Sequence, residues 1–165
     1  MTTLKTTWGT HDVTLTWVPA NEAPSGYAVT STHGFCFYKD EVLMVNLDTR
    51  GWDFPGGHME AGETPLECFA REAMEEAYVS GKAEMLGYVL VDNREDATFD
   101  PSKYPEIGCQ IYYRMDIDTV HTFDRDFESS ERETFTVSEV GDLHNNWNGI
   151  YQEILNAAVA RGEVG

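Results

Sequence analysis

The amino-acid sequence predicts an α+β fold. Three observations carry this expectation. Short β-rich runs bounded by turn residues fill the first third of the chain and return after residue 82. A capped amphipathic helix interrupts them near 64–77. A second amphipathic stripe, Trp147, Ile150, Tyr151, Ile154, Leu155 and Ala158, follows the last run and is ended by Gly162. The 165 residues are expected to form one domain, 1–165, with a proper core.

In chain order, residues 12–18 alternate polar and apolar, as a half-buried strand does. The Asn-Glu-Ala-Pro-Ser-Gly run at 21–26 is a loop. Residues 27–38 are β-rich, 39–41 turn, and 42–47 are β-rich again, which reads as a hairpin. A short strand at 52–54 leads into a tight Gly-rich loop at 56–57. Beyond the first helix, 83–91 and 107–117 read as strands joined by a long polar loop, 92–108, of a length often tied to function. The very acidic 116–132 is expected to loop over the surface, and 134–140 to form a further strand. Tyr112 and Tyr113 alternate on their strand, so they face opposite sides; core packing is the first reading, and stacking by one of them on a planar ligand the alternative.

The chemistry concentrates at 57–79, GHMEAGETPLECFAREAMEEAYV. Thr64 can cap a helix, Pro65 suits its first position, and Glu67 completes a capping box. Leu66, Phe69, Ala70, Ala73, Met74 and Ala77 then make one apolar stripe. Glu72, Glu75 and Glu76 share another face of the helix. Three like charges this close repel, and they lie away from the helix N-terminus that would favour them. A solvated acidic face is the plain reading of such a trio. A hard divalent cation is the alternative, because it binds carboxylate oxygens and resolves the repulsion.

The spacing decides between the two. Gly57, Glu63, Arg71-Glu72 and Glu75-Glu76 resemble, in register, the Nudix box, Gly-x5-Glu-x7-Arg-Glu-U-x-Glu-Glu-x-Gly-U, where U is a bulky aliphatic residue. The preceding 52–57, Trp-Asp-Phe-Pro-Gly-Gly, is similar to the family's entry into the box. The resemblance is specific over about 50–81 and architectural elsewhere. It implies a Nudix-type α/β/α sandwich with a mixed β-sheet between helices, and Mg²⁺-dependent hydrolysis of a nucleoside diphosphate linked to a group X, with Mn²⁺ as the alternative ion. By position it implies Glu72, Glu75, Glu76 and the Gly56 carbonyl as metal ligands. Glu72 or a partner would act through a water as base, Arg71 would orient the carboxylates, and Glu63 would pair with Arg71. Arg71 also stands four residues before Glu75, as an ordinary helical pair does.

Three positions depart from the pattern. Tyr78 replaces the Gly whose positive φ ends the helix, so the exit is expected a turn later, at Ser80-Gly81. Ala73 is a small residue in the aliphatic slot, and His58 stands where the family often has Lys. His58 and Arg50 are candidate phosphate contacts, against an exposed turn for Arg50. Many relatives add a distal acid from beyond the box. Glu128, Glu131 and Glu133 are the candidates, with Glu131 and Glu133 ranked first for closeness to the 134–140 run and ordinary surface charge as the alternative.

Composition narrows the partners. With 11 Lys and Arg against 29 Asp and Glu, the formal charge of −18 repels long polyanions, so a nucleic-acid polymer is not expected. A small nucleotide remains compatible, because a bound metal inverts the local field. No run of 18 apolar residues suggests a membrane span, and the polar N-terminus lacks an apolar signal core. Cys36, Cys68 and Cys109 form no Cys-x-x-Cys pair and read as reduced thiols, which suits the cytoplasm. His11, His33, His121 and His144 form no ligand pattern, and no Gly-Lys-Ser/Thr ends a P-loop. A homodimer is left open.

Within the resemblance, marks of the NADH-, coenzyme-A- and ADP-ribose-cleaving subfamilies are missing. Nucleoside triphosphates, oxidised ones included, are therefore the default substrate of a MutT-like enzyme. The alternative is a catalytically inactive Nudix-fold nucleotide-binding or regulatory protein. Retained box carboxylates argue against it, and Tyr78 leaves it open. A prenyl diphosphate isomerase would need a Cys and Glu motif that is not seen.

Overall fold

The computed structural model describes residues 1–124 and 129–164. Nine strands are described: β1 (Thr2–Trp8), β2 (His11–Pro19), β3 (Ala28–Tyr38), β4 (Glu41–Leu47), β5 (Gly51–Asp53), β6 (Gly56–His58), β7 (Val79–Asp92), β8 (Ile107–Val120) and β9 (Ser129–Phe135). They form one sheet in the order β1-β2-β7-β8-β3-β4-β5, with β6 added to β3 and β9 to β4. Only the β3–β8 pairing is parallel among the described pairs, so the sheet is mixed. Tyr38 faces Glu41 across the β3–β4 hairpin. The two turn residues, Lys39 and Asp40, take φ of 50° and 68°, as a tight two-residue hairpin turn demands.

Period-two alternation divides the core into two layers. Phe35, Phe37, Val42, Met44 and Tyr112 point to one face with Ile150, Ile154, Leu155 and Ala158 of α3 (Gly149–Val164). Cys36, Leu43, Val45, Ile111, Tyr113 and Met115 point to the other, with Phe69, Ala73 and Ala77. These come from α1 (Pro65–Glu72) and the π-helical turn Ala73–Ala77 that continues it. The sheet is thus sandwiched between helices, as the sequence predicts. Tyr112 and Tyr113 are both core residues, the latter stacked on Phe69 at 5.2 Å between ring centroids.

Several boundaries differ from expectation. β1 has no strong sequence signal, since only Leu4 and Trp8 supply apolar contacts among its threonines. β8 runs to Val120 and β9 already starts at Ser129, so the acidic 116–132 stretch is partly strand. Residues 137–140, expected as strand, form a 3₁₀ turn, Val137–Glu139, and open the short α2, Val140–Leu143. Thr136 and Glu139 make a capping box there that overrides the β-rich composition. Gly162 lies inside α3 rather than ending it. Its missing side chain makes room for the Arg114 guanidinium, which would sit 2.6 Å from a Cβ there. Arg114 also donates to the Ala158 carbonyl at 2.7 Å and lies 3.9 Å over the Phe37 ring, tying β8 to α3.

The box helix starts as expected, with both halves of the Thr64–Glu67 capping box made. Its apolar stripe is narrower. Phe69, Ala73 and Ala77 are buried, but Leu66, Ala70 and Met74 face solvent, because Cys68 and Glu76 take the space on the other side of the buried row. The exit falls at Tyr78 itself, not at Ser80-Gly81: Tyr78 adopts φ 55°, ψ 44°. A non-Gly residue there costs about 1–2 kcal/mol. Compensation comes from burial against Phe123 and from bonds to its carbonyl by the His121 N–H at 2.8 Å and Arg132 Nη1 at 3.1 Å. Arg132 also bonds the Ala77 carbonyl at 2.8 Å, a cation at a helix C-terminus. Arg132→Ala is expected to cost about 1–3 kcal/mol, read as a lower denaturant midpoint at unchanged m-value.

Candidate active site

Three elements build the site. Strand β6 pairs with β3 in the register Thr32↔Gly57 and His33↔Gly56. The two glycines are therefore strand residues, not a flexible loop, and neither has a positive φ. They are needed for close approach. A Cβ on Gly57 would lie 2.5 Å from Glu72 Oε1, and one on Gly56 would overlap the His33 ring. The glycine pair thus lets a helix carboxylate rest against the strand backbone.

Arg71 organises the acids around it. Its Nε and Nη2 donate to Glu63 at 3.0 and 2.9 Å as a fork. Nη1 donates to Glu72 at 2.8 Å and Glu75 at 3.2 Å, and Nη2 to the His58 carbonyl at 3.0 Å. Glu60 stands 3.5 Å from Nη1. The Glu63 fork and the helical pair with Glu75 are thus both made. The guanidinium holds Glu63 down to a pKa of about 2, helped by the Glu60 N–H.

Glu72 and Glu76 form the inner pair, with side chains 14% and 6% exposed against 37% for Glu75. Each carboxyl feels the charge of the other. The Gly56 N–H donates to Glu76 Oε1 at 3.1 Å. Burial raises the Glu72 carboxyl above its usual range and pushes Glu76 up to about 8, so the site disfavours two bare anions. Glu72 and Glu76 would hold a divalent cation, whose charge would take the place of a proton on the pair. The donor set is all hard oxygen, and the Gly57 cradle brings Glu72 to the strand, so these residues fit a Mg²⁺-type ion. Among the described residues no three acids, His or Cys converge as a ready-made cation cluster; Arg71 draws Glu75 and Glu72 to itself.

The remaining candidates separate. Arg50 Nη2 comes within 4.0 Å of Glu76 and Nη1 within 3.8 Å of Asp53. His58 is exposed and reaches the network through its carbonyl only. Glu131 and Glu133 are exposed and flank Arg132 on β9. Arg132 turns to the end of the box helix, so its two neighbours point to the opposite face, and Glu131 meets Asn46 at 3.2 Å. The structure does not bring either to the box carboxylates. Glu128 lies outside the described residues.

Two groups near the site carry no linear signal. Asp53 accepts from His144 at 2.9 Å, and Asn145 donates to the Arg50 carbonyl at 2.7 Å, so the segment before α3 grips the Arg50 turn. Cys68 is buried beneath the box, where it accepts from Thr32 at 3.1 Å. His33, stacked on Tyr112 and bonded to Ser31, is lowered to about 4 by burial and stays neutral.

A helix with this acid spacing against a glycine strand, on a mixed sheet between helices, defines a class. The chain matches the family model for the NUDIX domain over residues 29–157. It belongs to the Nudix family, whose hydrolases generally use divalent metals such as Mg²⁺. Among curated protein sequences none matches the chain. In fold it is similar to the pyrophosphohydrolase BsRppH of Bacillus subtilis, at 17% identity and a TM-score of 0.78 with both chains fully covered. It is also similar to MutT of Bacillus halodurans, at 24% identity and a TM-score of 0.57, covering 78% of this chain and 80% of that one. An ADP-ribose pyrophosphatase of Streptococcus suis shares 18% identity at a TM-score of 0.53, with 80% and 90% covered.

Proposed function

We propose that the chain is a Mg²⁺-dependent hydrolase that cleaves the pyrophosphate linkage of a nucleoside diphosphate derivative, with nucleoside triphosphates, oxidised ones among them, as the leading substrates. The inner Glu72–Glu76 pair against Gly56 and Gly57 carries this reading: it is a costly burial of two acids that a cation would turn into a binding site. Glu72, Glu76, Glu75 and the Gly56 carbonyl would hold the ion. When bound, it supplies positive charge to neutralise phosphate oxygens and to acidify water. Glu72 or Glu76, once deprotonated, can take a proton from an attacking water. Arg71 and Glu63 fix the carboxylate geometry, and Arg50 is placed to meet a phosphate oxygen. Tyr78, the departure that leaves an inactive binding protein open, ends the helix with the positive φ of the usual Gly. Free, buried Cys36, Cys68 and Cys109 agree with a cytoplasmic location, and no described helix is long and apolar enough to cross a membrane.

A panel of nucleoside triphosphates, dinucleotides and ADP-ribose, incubated with Mg²⁺ and assayed for released phosphate and pyrophosphate, tests the reading. Turnover of at least one member is expected. No turnover with Mg²⁺ bound would instead establish a binding protein.

The Glu76 shift sets a pH dependence. Its folded value of about 8 lies above the ordinary 4.5. In the metal-free protein the stability it contributes is present below 4.5 and lost as pH rises through about 8. Cation binding must displace the same proton, so the Mg²⁺ concentration for half-maximal activity is expected to fall about tenfold per pH unit up to about pH 8 and then level. A requirement flat between pH 6 and 8 would show that no proton leaves.

A further inference from the structure

The end of the box helix is buried: Ala77 and Tyr78 both lie in the core. A helix leaves its last carbonyls without an intrahelical donor, and a buried carbonyl needs a partner from elsewhere. Arg132 is that partner. It stands on β9 opposite Val45 of β4, and Val45 belongs to the core layer of Phe69, Ala73 and Ala77. Cross-strand partners share a face, so the pairing aims the guanidinium at the helix. Nη1 donates to the Ala77 and Tyr78 carbonyls, and Nη2 to the His121 carbonyl at 2.6 Å. The His121 N–H returns to the Tyr78 carbonyl, and its ring bonds the Ser80 hydroxyl at 3.0 Å. One guanidinium thus joins the helix exit to β9 and to the residue that follows β8.

This exit begins one residue past Glu76. Glu75 and Glu76 ride on the π-helical turn Ala73–Ala77. A π turn bonds i to i+5 and is wound more loosely than an α turn, so it changes where both acids point relative to Glu72 on α1. Glu76 turns inward to the Gly56 N–H, while Glu75 stays out on Arg71. The left-handed Tyr78 closes the turn, with its N–H on the Met74 carbonyl at 3.0 Å. A glycine takes that conformation unaided; a tyrosine has to be held in it.

We propose that Arg132 is a positioning residue for the cation site: by locking the helix exit at Ala77 and Tyr78 it fixes the π turn, and through it the direction of Glu76 toward Glu72 and Gly56. The proposal rests on the hydrolase reading and deepens it. Arg132 acts on the site through backbone carbonyls, and it supplies from β9 the conformational control that a glycine at 78 would supply locally.

Calorimetric titration with Mg²⁺, which needs no turnover, tests this in the wild-type chain, Arg132→Ala, Arg132→Lys and the double variant Tyr78→Gly/Arg132→Ala. Arg132→Ala is expected to weaken Mg²⁺ binding about tenfold, as removal of a group that orients a metal ligand does. Arg132→Lys keeps a donor for one carbonyl and should fall between. The double variant is expected to regain most of the lost affinity, because glycine needs no clamp. Its denaturant midpoint should stay at or below that of Arg132→Ala, because the packing of Tyr78 on Phe123 is gone. Affinity and stability then move apart, which a purely structural arginine does not allow. Unchanged Mg²⁺ affinity in Arg132→Ala overturns the proposal, as does a double variant that binds no better than the single one. If Arg132→Ala does not fold, Arg132→Lys with and without Tyr78→Gly gives the same comparison. Mg²⁺ binding without turnover in the wild-type chain leaves the proposal standing and removes the hydrolase; no Mg²⁺ binding in the wild-type chain removes both.

Discussion

Glu76→Gln is expected to lower turnover by about 10³-fold while the protein stays folded. Gln keeps the volume of Glu and can still accept from the Gly56 N–H, now 3.1 Å from Oε1. What it loses is the capacity to become an anion. Near neutral pH the wild-type carboxyl is held protonated by burial, with a value of about 8, so Gln imitates the metal-free resting state closely. The variant should therefore be at least as stable as the wild-type chain at pH 8, and its stability should lose the decline between pH 5 and 8. Thermal unfolding across that range, beside single-turnover rates with Mg²⁺, checks both halves. Undiminished turnover would remove Glu76 from the chemistry.

Arg71→Ala is expected to have the largest effect on stability, about 3 kcal/mol, or roughly 6–12 °C in Tm for a chain of this size. The guanidinium is 22% exposed and donates to Glu63, Glu72, Glu75 and the His58 carbonyl. Its removal leaves partly buried acids facing one another without a counter-charge, beside the pair already short of solvation. Glu63 should lose its depressed titration, near 2 in the wild-type chain, and move up toward the ordinary carboxylate range. Arg71→Lys keeps the charge but not the fork, so it should recover part of the stability and less of the activity. A denaturant midpoint for each variant, with the m-value unchanged, measures the order. Equal midpoints for Arg71→Ala and the wild-type chain would show that the network only orients the acids.

The parts of the fold legible in the sequence are those set by local pattern. The Thr64–Glu67 capping box, the β3–β4 hairpin and the α3 stripe all follow from residues close in the chain. The box carboxylates were legible for the same reason: Glu72 and Glu76 are one helical turn apart. Errors arose where contacts between distant residues override local preference. Tyr78 accepts a left-handed conformation because Arg132 and His121 bond its carbonyl, and neither is near it in sequence. Gly162 reads as a helix stop until the Arg114 side chain is seen to fill its place. Leu66 and Met74 fit the apolar stripe by spacing, yet the site claims the adjoining face for Glu76 and turns them outward. Asp53 with His144, and His11 with Asp96 of the 93–106 loop, join residues too far apart for spacing to reveal. Closeness to the 134–140 run puts Glu131 and Glu133 first as distal acids; they lie on β9 itself, where alternation with Arg132 sends them the other way.

The central claim is that the buried Glu72–Glu76 pair is a cation site. Calorimetric titration of the protein with Mg²⁺ at pH 7, in two buffers of different ionisation enthalpy, tests it most directly. The account predicts saturable binding with release of close to one proton, both lost in Glu76→Gln. Binding of equal strength in the variant, or no proton released by the wild-type chain, would contradict it.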